Sequence, residues 1–298
     1  MLIESYFPGV PGQATLSGQK AARCMEAAFI EGPKGSLFAV FHLPDPSVRP
    51  RGAVLCVQAF GDEQNKSRRM VAQQARALAL DGWLVMVPDL YGCGDSAGEF
   101  GDADWEGWLN DLRACVAHLR ETHADQLVCW GIRSGCLLLS QFLRQAGAPE
   151  PLATVLWQPA LDGNLFLMQF LRLRMAAGMM SGNKESTRDL RSRLDAGESL
   201  EIAGYMLSPS LASGLAQSRL KAPNSGPVHW FEVVPSESAG IAPQGSKCVD
   251  EWRTAGIEVS VVTCTGDPFW SAQEIREVPG LIELTRAALR AVRSGVAA

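Results

Sequence analysis

The residues best placed for chemistry in this 298-residue chain fall in one octapeptide, Cys129-Trp130-Gly131-Ile132-Arg133-Ser134-Gly135-Cys136. A Gly-x-x-x-Gly frame between an apolar strand and an apolar helix is the setting of a nucleophile elbow, whose central residue projects from a strained turn. Positions two before and two after the centre must be small so that neighbouring backbone can approach, and Gly131 and Gly135 satisfy this. The centre itself is Arg133. A guanidinium stays protonated and only donates hydrogen bonds, so it cannot attack an acyl carbon. It can stabilise an oxyanion or hold an anion. Ser134 is one position along the turn, where its hydroxyl should point into helix packing; it stands as the alternative nucleophile.

Two carboxylates could work with Arg133 by activating a water: Glu63, in the loop Gln58 to Lys66, and Asp267, in the loop Cys264 to Trp270. The first loop should also supply one backbone donor of an oxyanion hole, the other coming from Ser134. Ala59, Phe60, Asn65, Lys66 and Arg69 from that stretch, with Tyr91 and Trp270 from two further loops, are the expected substrate-binding residues. In the alternative reading, Glu63 or Asp267 pairs with Arg133 inside the protein, and Asn65 or Ser67 merely caps a helix. A histidine is missing where such a site needs one. His42 lies in an early hairpin, His118 and His123 on or just after a helix, and His229 in a strand. Glu237 could serve as a triad acid, but acidic residues are common in loops.

The elements that must position these residues are legible from hydrophobic runs. Met25 to Glu31 and Ser36 to Leu43 read as a hairpin around Gly32-Pro33-Lys34-Gly35, after a Gly-, Pro- and Ser-rich start, Met1 to Ala22, expected to wrap the surface. Ala53 to Val57, Trp83 to Val87, Leu127 to the elbow, Thr154 to Trp157, Val228 to Val234 and Ile257 to Thr263 are continuous apolar strands, hence covered on both faces and parallel. Helices are expected over Arg68 to Leu80, Trp105 to Arg120, the elbow helix, Lys247 to Thr254 and Leu281 to Val292. The alternation predicts a doubly wound α/β sheet in one domain, interrupted at 161–220 by an inserted helical cap or lid.

With 27 basic against 32 acidic residues the net charge is −5, which leaves no basic footprint for nucleic acid. Eight scattered cysteines lack a Cys-x-x-Cys pair and read as buried thiols of a reducing compartment, with neither a disulfide frame nor a metal site. No cofactor motif is present, no run reaches the length of a membrane span, and Met1 to Val10 does not resemble a leader, so a cytoplasmic protein with a small, anionic ligand or substrate is expected.

The elbow, the strand order and Asp89-Leu90-Tyr91-Gly92-Cys93-Gly94-Asp95-Ser96 resemble the α/β-hydrolase superfamily from Ala53 onward. More narrowly, that stretch together with Phe60 to Met70, Trp130 to Arg133 and Pro268-Phe269-Trp270 resembles the exosortase A system-associated hydrolase 2 family. The resemblance implies the α/β-hydrolase fold, a hydrolase or acyl transferase, and a bacterial setting in which exopolysaccharide synthesis is linked with protein sorting. Arginine at the elbow looks normal for that family, which counts against serine chemistry and leaves Ser134 as the alternative nucleophile. A non-catalytic protein holding an anionic ligand is the alternative.

Overall fold

A computed structural model of the chain describes residues 24–122, 126–180 and 185–292; His123 and the stretch Met1 to Ala22 lie outside them. The strands, in chain order, are β1 (Met25–Glu31), β2 (Ser36–His42), β3 (Gly52–Val57), β4 (Trp83–Pro88), β5 (Leu127–Ile132), β6 (Ala153–Trp157), β7 (Leu200–Ile202), β8 (Tyr205–Leu207), β9 (Val228–Val234) and β10 (Val259–Thr265). The helices are α1 (Asp62–Leu80), α2 (Trp105–Thr122), α3 (Ser134–Phe142), α4 (Gly163–Met180), α5 (Thr187–Asp195), α6 (Pro209–Gln217), α7 (Pro243–Thr254) and α8 (Pro279–Ala291). Eight strands form one sheet in the order β1-β2-β4-β3-β5-β6-β9-β10. β1 and β2 pair antiparallel, as does β2 with β4; every later pairing is parallel. β7 and β8 form a separate hairpin.

The continuous apolar strands are buried on both faces because helices cover both sides. β3, β5 and β6 are buried along their whole length. On one side Leu55, Cys129 and Leu156 pack with α2, α3 and the insertion; on the other Val54, Val128, Trp130 and Trp157 pack with α1 and α8. Each such side chain contributes roughly 1.5–3 kcal/mol when fully buried. α8 is tied down through Arg286, whose Nε and Nη2 donate to Asp81 at 2.8 and 2.9 Å, and through Trp157 Nε1, which donates to Thr285 at 2.9 Å.

Several boundaries differ from expectation. α1 begins at Asp62, ahead of Arg68, because Gly61 caps it with φ 63° and no side-chain bond, a start that leaves no sequence signature of a polar cap. Neither Asn65 nor Ser67 caps it. α7 begins at Pro243, a favoured first helical position, ahead of Lys247. The insertion holds three helices and also the β7–β8 hairpin, so it is not purely helical. Its apolar run turns Phe166, Leu167, Phe170 and Leu171 into the main core, whereas Leu165 and Leu173 stay exposed. All eight cysteines are free and five are buried; Cys24 is exposed, against the expectation of burial. No described helix is long and apolar enough to cross a membrane.

α2 also buries Asp111, whose Oδ2 accepts the Tyr91 backbone N–H at 2.8 Å while Oδ1 has no partner. Burial pushes its carboxyl up to about 6 from 3.8, with the Tyr91 N–H opposing. The folded state therefore keeps this proton to higher pH than the unfolded chain, and its contribution to stability falls as pH rises from about 4 to about 6. Asp111→Asn should escape that loss, gaining roughly 2 kcal/mol over wild type between acid and neutral pH. Denaturant titrations across pH check this; parallel stability curves for the two proteins would contradict it.

Candidate functional site

The elbow forms as its glycines require. β5 runs into α3 through Arg133, whose φ of 53° and ψ of −120° are rare for a side-chain-bearing residue. Such a backbone costs on the order of 1–3 kcal/mol and persists only where its surroundings over-determine it. Here they do: Arg133 N–H donates to Trp157 O at 3.0 Å, and its carbonyl accepts from Cys136 N at 3.1 Å and Ala160 N at 3.2 Å. Gly135 packs directly on the Val57 and Gln58 carbonyls at the end of β3, with no space for a Cβ.

From this turn the Arg133 side chain reaches Glu63 in the first turn of α1. Nε donates to Glu63 Oε2 and Nη2 to Oε1, both at 3.0 Å, and Nη1 donates to Gln158 O at 3.3 Å. The guanidinium lies between two rings, 5.2 Å from that of Trp270 and 5.8 Å from that of Phe166 in α4. The Arg133 and Glu63 side chains are 14% and 23% exposed, so the pair is mostly but not wholly removed from water. The internal pairing that the sequence left open is thus formed by Glu63.

Asp267 takes no part in it. That carboxylate is 65% exposed and pairs with Arg276 at 3.6 Å, because the chain after β10 turns outward before Trp270 returns. Arg69 likewise leaves the site to pair with Glu277. Lys66 stands between Asp62 at 2.7 Å and Ser271 O at 3.4 Å. Asn65 Nδ2 donates to the Tyr205 hydroxyl of β8 at 2.5 Å, tying the insertion to α1. Tyr91 is structural: its ring packs on Gly98 and under Lys34, and its carbonyl accepts from Trp108 Nε1 at 3.0 Å. Ser96 and Asp89 also serve the fold, Ser96 Oγ donating to Asp89 O at 2.6 Å and accepting from Phe38 N at 2.8 Å.

Ala59 and Phe60 do meet Ser134 and Gly135, around a cavity of about 20 Å³. That is room for one water, far below the roughly 300–1,000 Å³ of a substrate pocket. The missing volume is filled by rings, Phe60 stacking edge-on with Phe166 and Phe170 at 5.6 and 5.3 Å. Ser134 is 2% exposed and its Oγ has no hydrogen-bond partner, so no base activates it. His229 Nδ1 faces Ser260 at 2.8 Å, His118 stacks on Phe41, and His42 is buried in β2 with its pKa lowered by burial to about 4. Burial likewise pushes the thiols of Cys93, Cys129 and Cys136 up, leaving them poor nucleophiles. Among the described residues no cluster of His, Cys, Asp and Glu could hold a metal ion.

One member of the site was not foreseen, and one buried acid of a neighbouring strand was missed as well. Gln158, with φ 43°, gives its carbonyl to Arg133 while its side chain accepts from Val233 N at 2.8 Å. Nothing local in the sequence marks it. Glu232 in β9 is 9% exposed and accepts from Trp230 Nε1 at 2.9 Å. Burial raises its carboxyl above the usual range, opposed by the hydrogen bonds from Trp230 and the Ala242 backbone and, least, by the Arg133 charge. A lone acid within Val228 to Val234 was the available signal.

The model of the serine aminopeptidase S33 family matches residues 48–194. No curated protein matches the chain. Among solved structures, Est1E from Butyrivibrio proteoclasticus with ferulic acid bound is 17% identical over 89% of this chain and 99% of its own, with a TM-score of 0.65. A malate-bound thermophilic esterase from Thermogutta terrifontis is 18% identical over 90% and 99%, with a TM-score of 0.55. XC6422 from Xanthomonas campestris, described as an a/b serine hydrolase without lid, is 18% identical over 89% and 94%, at 0.54. With this strand order, an elbow between β5 and α3 and these neighbours, the chain has the α/β-hydrolase fold.

Proposed function

We propose that the chain is a non-hydrolytic binding protein on this scaffold, whose elbow takes a small carboxylate-bearing ligand by exchange for Glu63 on Arg133. The observation that carries this is the seated carboxylate itself: an arginine stands at the nucleophile position with two fork nitrogens on carboxylate oxygens at 3.0 Å, still partly open to water. Charge-assisted bidentate contacts of this kind are geometrically selective for planar anions. The positive end of α3 lies just beside them, favouring negative charge. Walls formed by Trp270 and Phe166 suit an apolar, preferably aromatic, acid. The insertion at 161–220 is read as the cap through which exchange occurs, since Phe166 closes over the guanidinium. The resemblance of four sequence blocks to the exosortase A system-associated hydrolase 2 family is what supports reading a bacterial, cytoplasmic setting beside exopolysaccharide synthesis.

The hydrolase or acyl-transferase reading, with Glu63 activating a water and Arg133 stabilising the oxyanion, draws on the family match. Both Glu63 oxygens are committed to the guanidinium, which disfavours it. Neither the wild type nor Arg133→Ser should turn over p-nitrophenyl acetate above background or react with a fluorophosphonate, because no described histidine reaches the elbow. Turnover by the wild type, or stoichiometric labelling of Ser134, would overturn the non-hydrolytic reading.

A further inference from the structure

A larger concavity lies away from the elbow, where the insertion meets the core. It is a groove of about 780 Å³ between the start of α2, the end of α3 and α6. Its size falls within the roughly 300–1,000 Å³ of small-molecule sites. Ser210, Ser213 and Gln217 share one face of α6, and Gln141 at the end of α3 is joined by Arg144 and Gln145 from the turn that follows, where Arg144 N donates to Gln141 O at 3.2 Å. α6 is held close because Gly214 lies directly on Trp105, whose Nε1 donates to Gln141 at 2.9 Å.

The cations of the groove stand on a fixed base. Ser140 Oγ donates to Lys221 O at 2.7 Å and accepts from Lys221 N at 2.8 Å, which clamps the chain after α6 onto α3. Arg144 Nη1 donates to the Ala222 carbonyl at 3.1 Å. Two acids also line the groove, and both are paired: Asp104 pairs with Lys34 and accepts from Gly107 N at 2.7 Å, and Glu106 pairs with Arg113 at 3.7 Å; Arg219 of the lining pairs with Asp162 at 3.1 Å. Neither Arg144 nor Lys221 has an acidic partner among the described residues. In a chain of net charge −5, two exposed cations without acidic partners, Arg144 held by one carbonyl and Lys221 fixed through its backbone, beside hydroxyls and amides suit an anion that also carries hydroxyl groups.

We propose that this groove binds a phosphorylated sugar, its phosphate on Arg144 and Lys221 and its hydroxyls on Ser210, Ser213 and Gln217. The site is independent of the elbow. Calorimetric titration of the full chain with glucose 6-phosphate, glucose, glucuronate and inorganic phosphate tests it. Glucose 6-phosphate should bind, at least about tenfold more tightly than glucose or inorganic phosphate. Glucuronate should bind more weakly than the sugar phosphate, because one fewer acceptor oxygen faces the cations. Lys221→Glu, whose side chain is exposed and whose backbone clamp is untouched, should keep the wild-type melting temperature and lose binding by at least about tenfold. Ser213→Ala should weaken glucose 6-phosphate and leave inorganic phosphate unchanged. Saturating benzoate, an aromatic acid of the kind proposed for the elbow, should not compete. Absent binding of glucose 6-phosphate, unchanged binding by a folded Lys221→Glu, or equal affinity for inorganic phosphate would each overturn the proposal.

Discussion

Arg133→Ala is expected to destabilise the folded chain by about 2–3 kcal/mol, somewhat less than the roughly 3–5 kcal/mol lost when one partner of a fully buried pair is removed. The reduction follows from exposure. Glu63 is 23% exposed, so without the guanidinium its carboxylate can turn to water instead of remaining stranded. What cannot be recovered is the packing of the guanidinium between Trp270 and Phe166 and its bond to the Gln158 carbonyl. Glu63→Ala leaves the more buried Arg133, 14% exposed, without its partner and should cost a similar amount. In the double variant no charge is stranded, so the losses should not add. A coupling of about 1–3 kcal/mol is expected from denaturant unfolding of the four proteins. Additive losses would show that the two side chains act separately.

Gly135→Ala should cost more, about 4 kcal/mol or above, and a chain of marginal stability would then be largely unfolded at physiological temperature. The added methyl would enter the Val57 and Gln58 carbonyl oxygens. Those atoms belong to the last residue of a fully buried central strand and to the residue just after it, and cannot move without shifting β3 against β4 and β5. The control is Gly147→Ala, where φ is +75° but nothing lies within 4 Å, so only backbone strain of about 1 kcal/mol is added. A folded Gly135→Ala with a wild-type melting temperature would mean that the elbow is not packed on β3.

The sheet was legible because parallel strands buried on both faces leave unbroken apolar runs: Leu127 to Ile132 and Ala153 to Trp157 could hardly be anything else. The elbow was legible because its two glycines answer to steric demands that hardly vary with the surroundings. Side-chain direction was not. Tyr91 and Trp270 both sit in loops at the same end of the sheet, yet one ring packs on Gly98 and the other on Arg133. Glu63 and Asp267 were equal candidates until α1 started at Asp62, placing Glu63 in a first helical turn aimed across at the elbow, while Asp267 turned to Arg276. Gln158 was invisible because its role rests on a backbone conformation imposed by β6 and β9 together.

If Glu63 occupies Arg133 as an internal ligand, it competes with any external acid, and apparent affinity is reduced by the fraction of time the fork is occupied. Calorimetric titration of benzoate into wild type, Glu63→Gln and Arg133→Ala therefore tests the carboxylate-exchange site most directly. Glu63→Gln should bind benzoate at least about tenfold more tightly than wild type, and Arg133→Ala should not bind it. Weaker or unchanged binding in Glu63→Gln, or binding retained in Arg133→Ala, would contradict it.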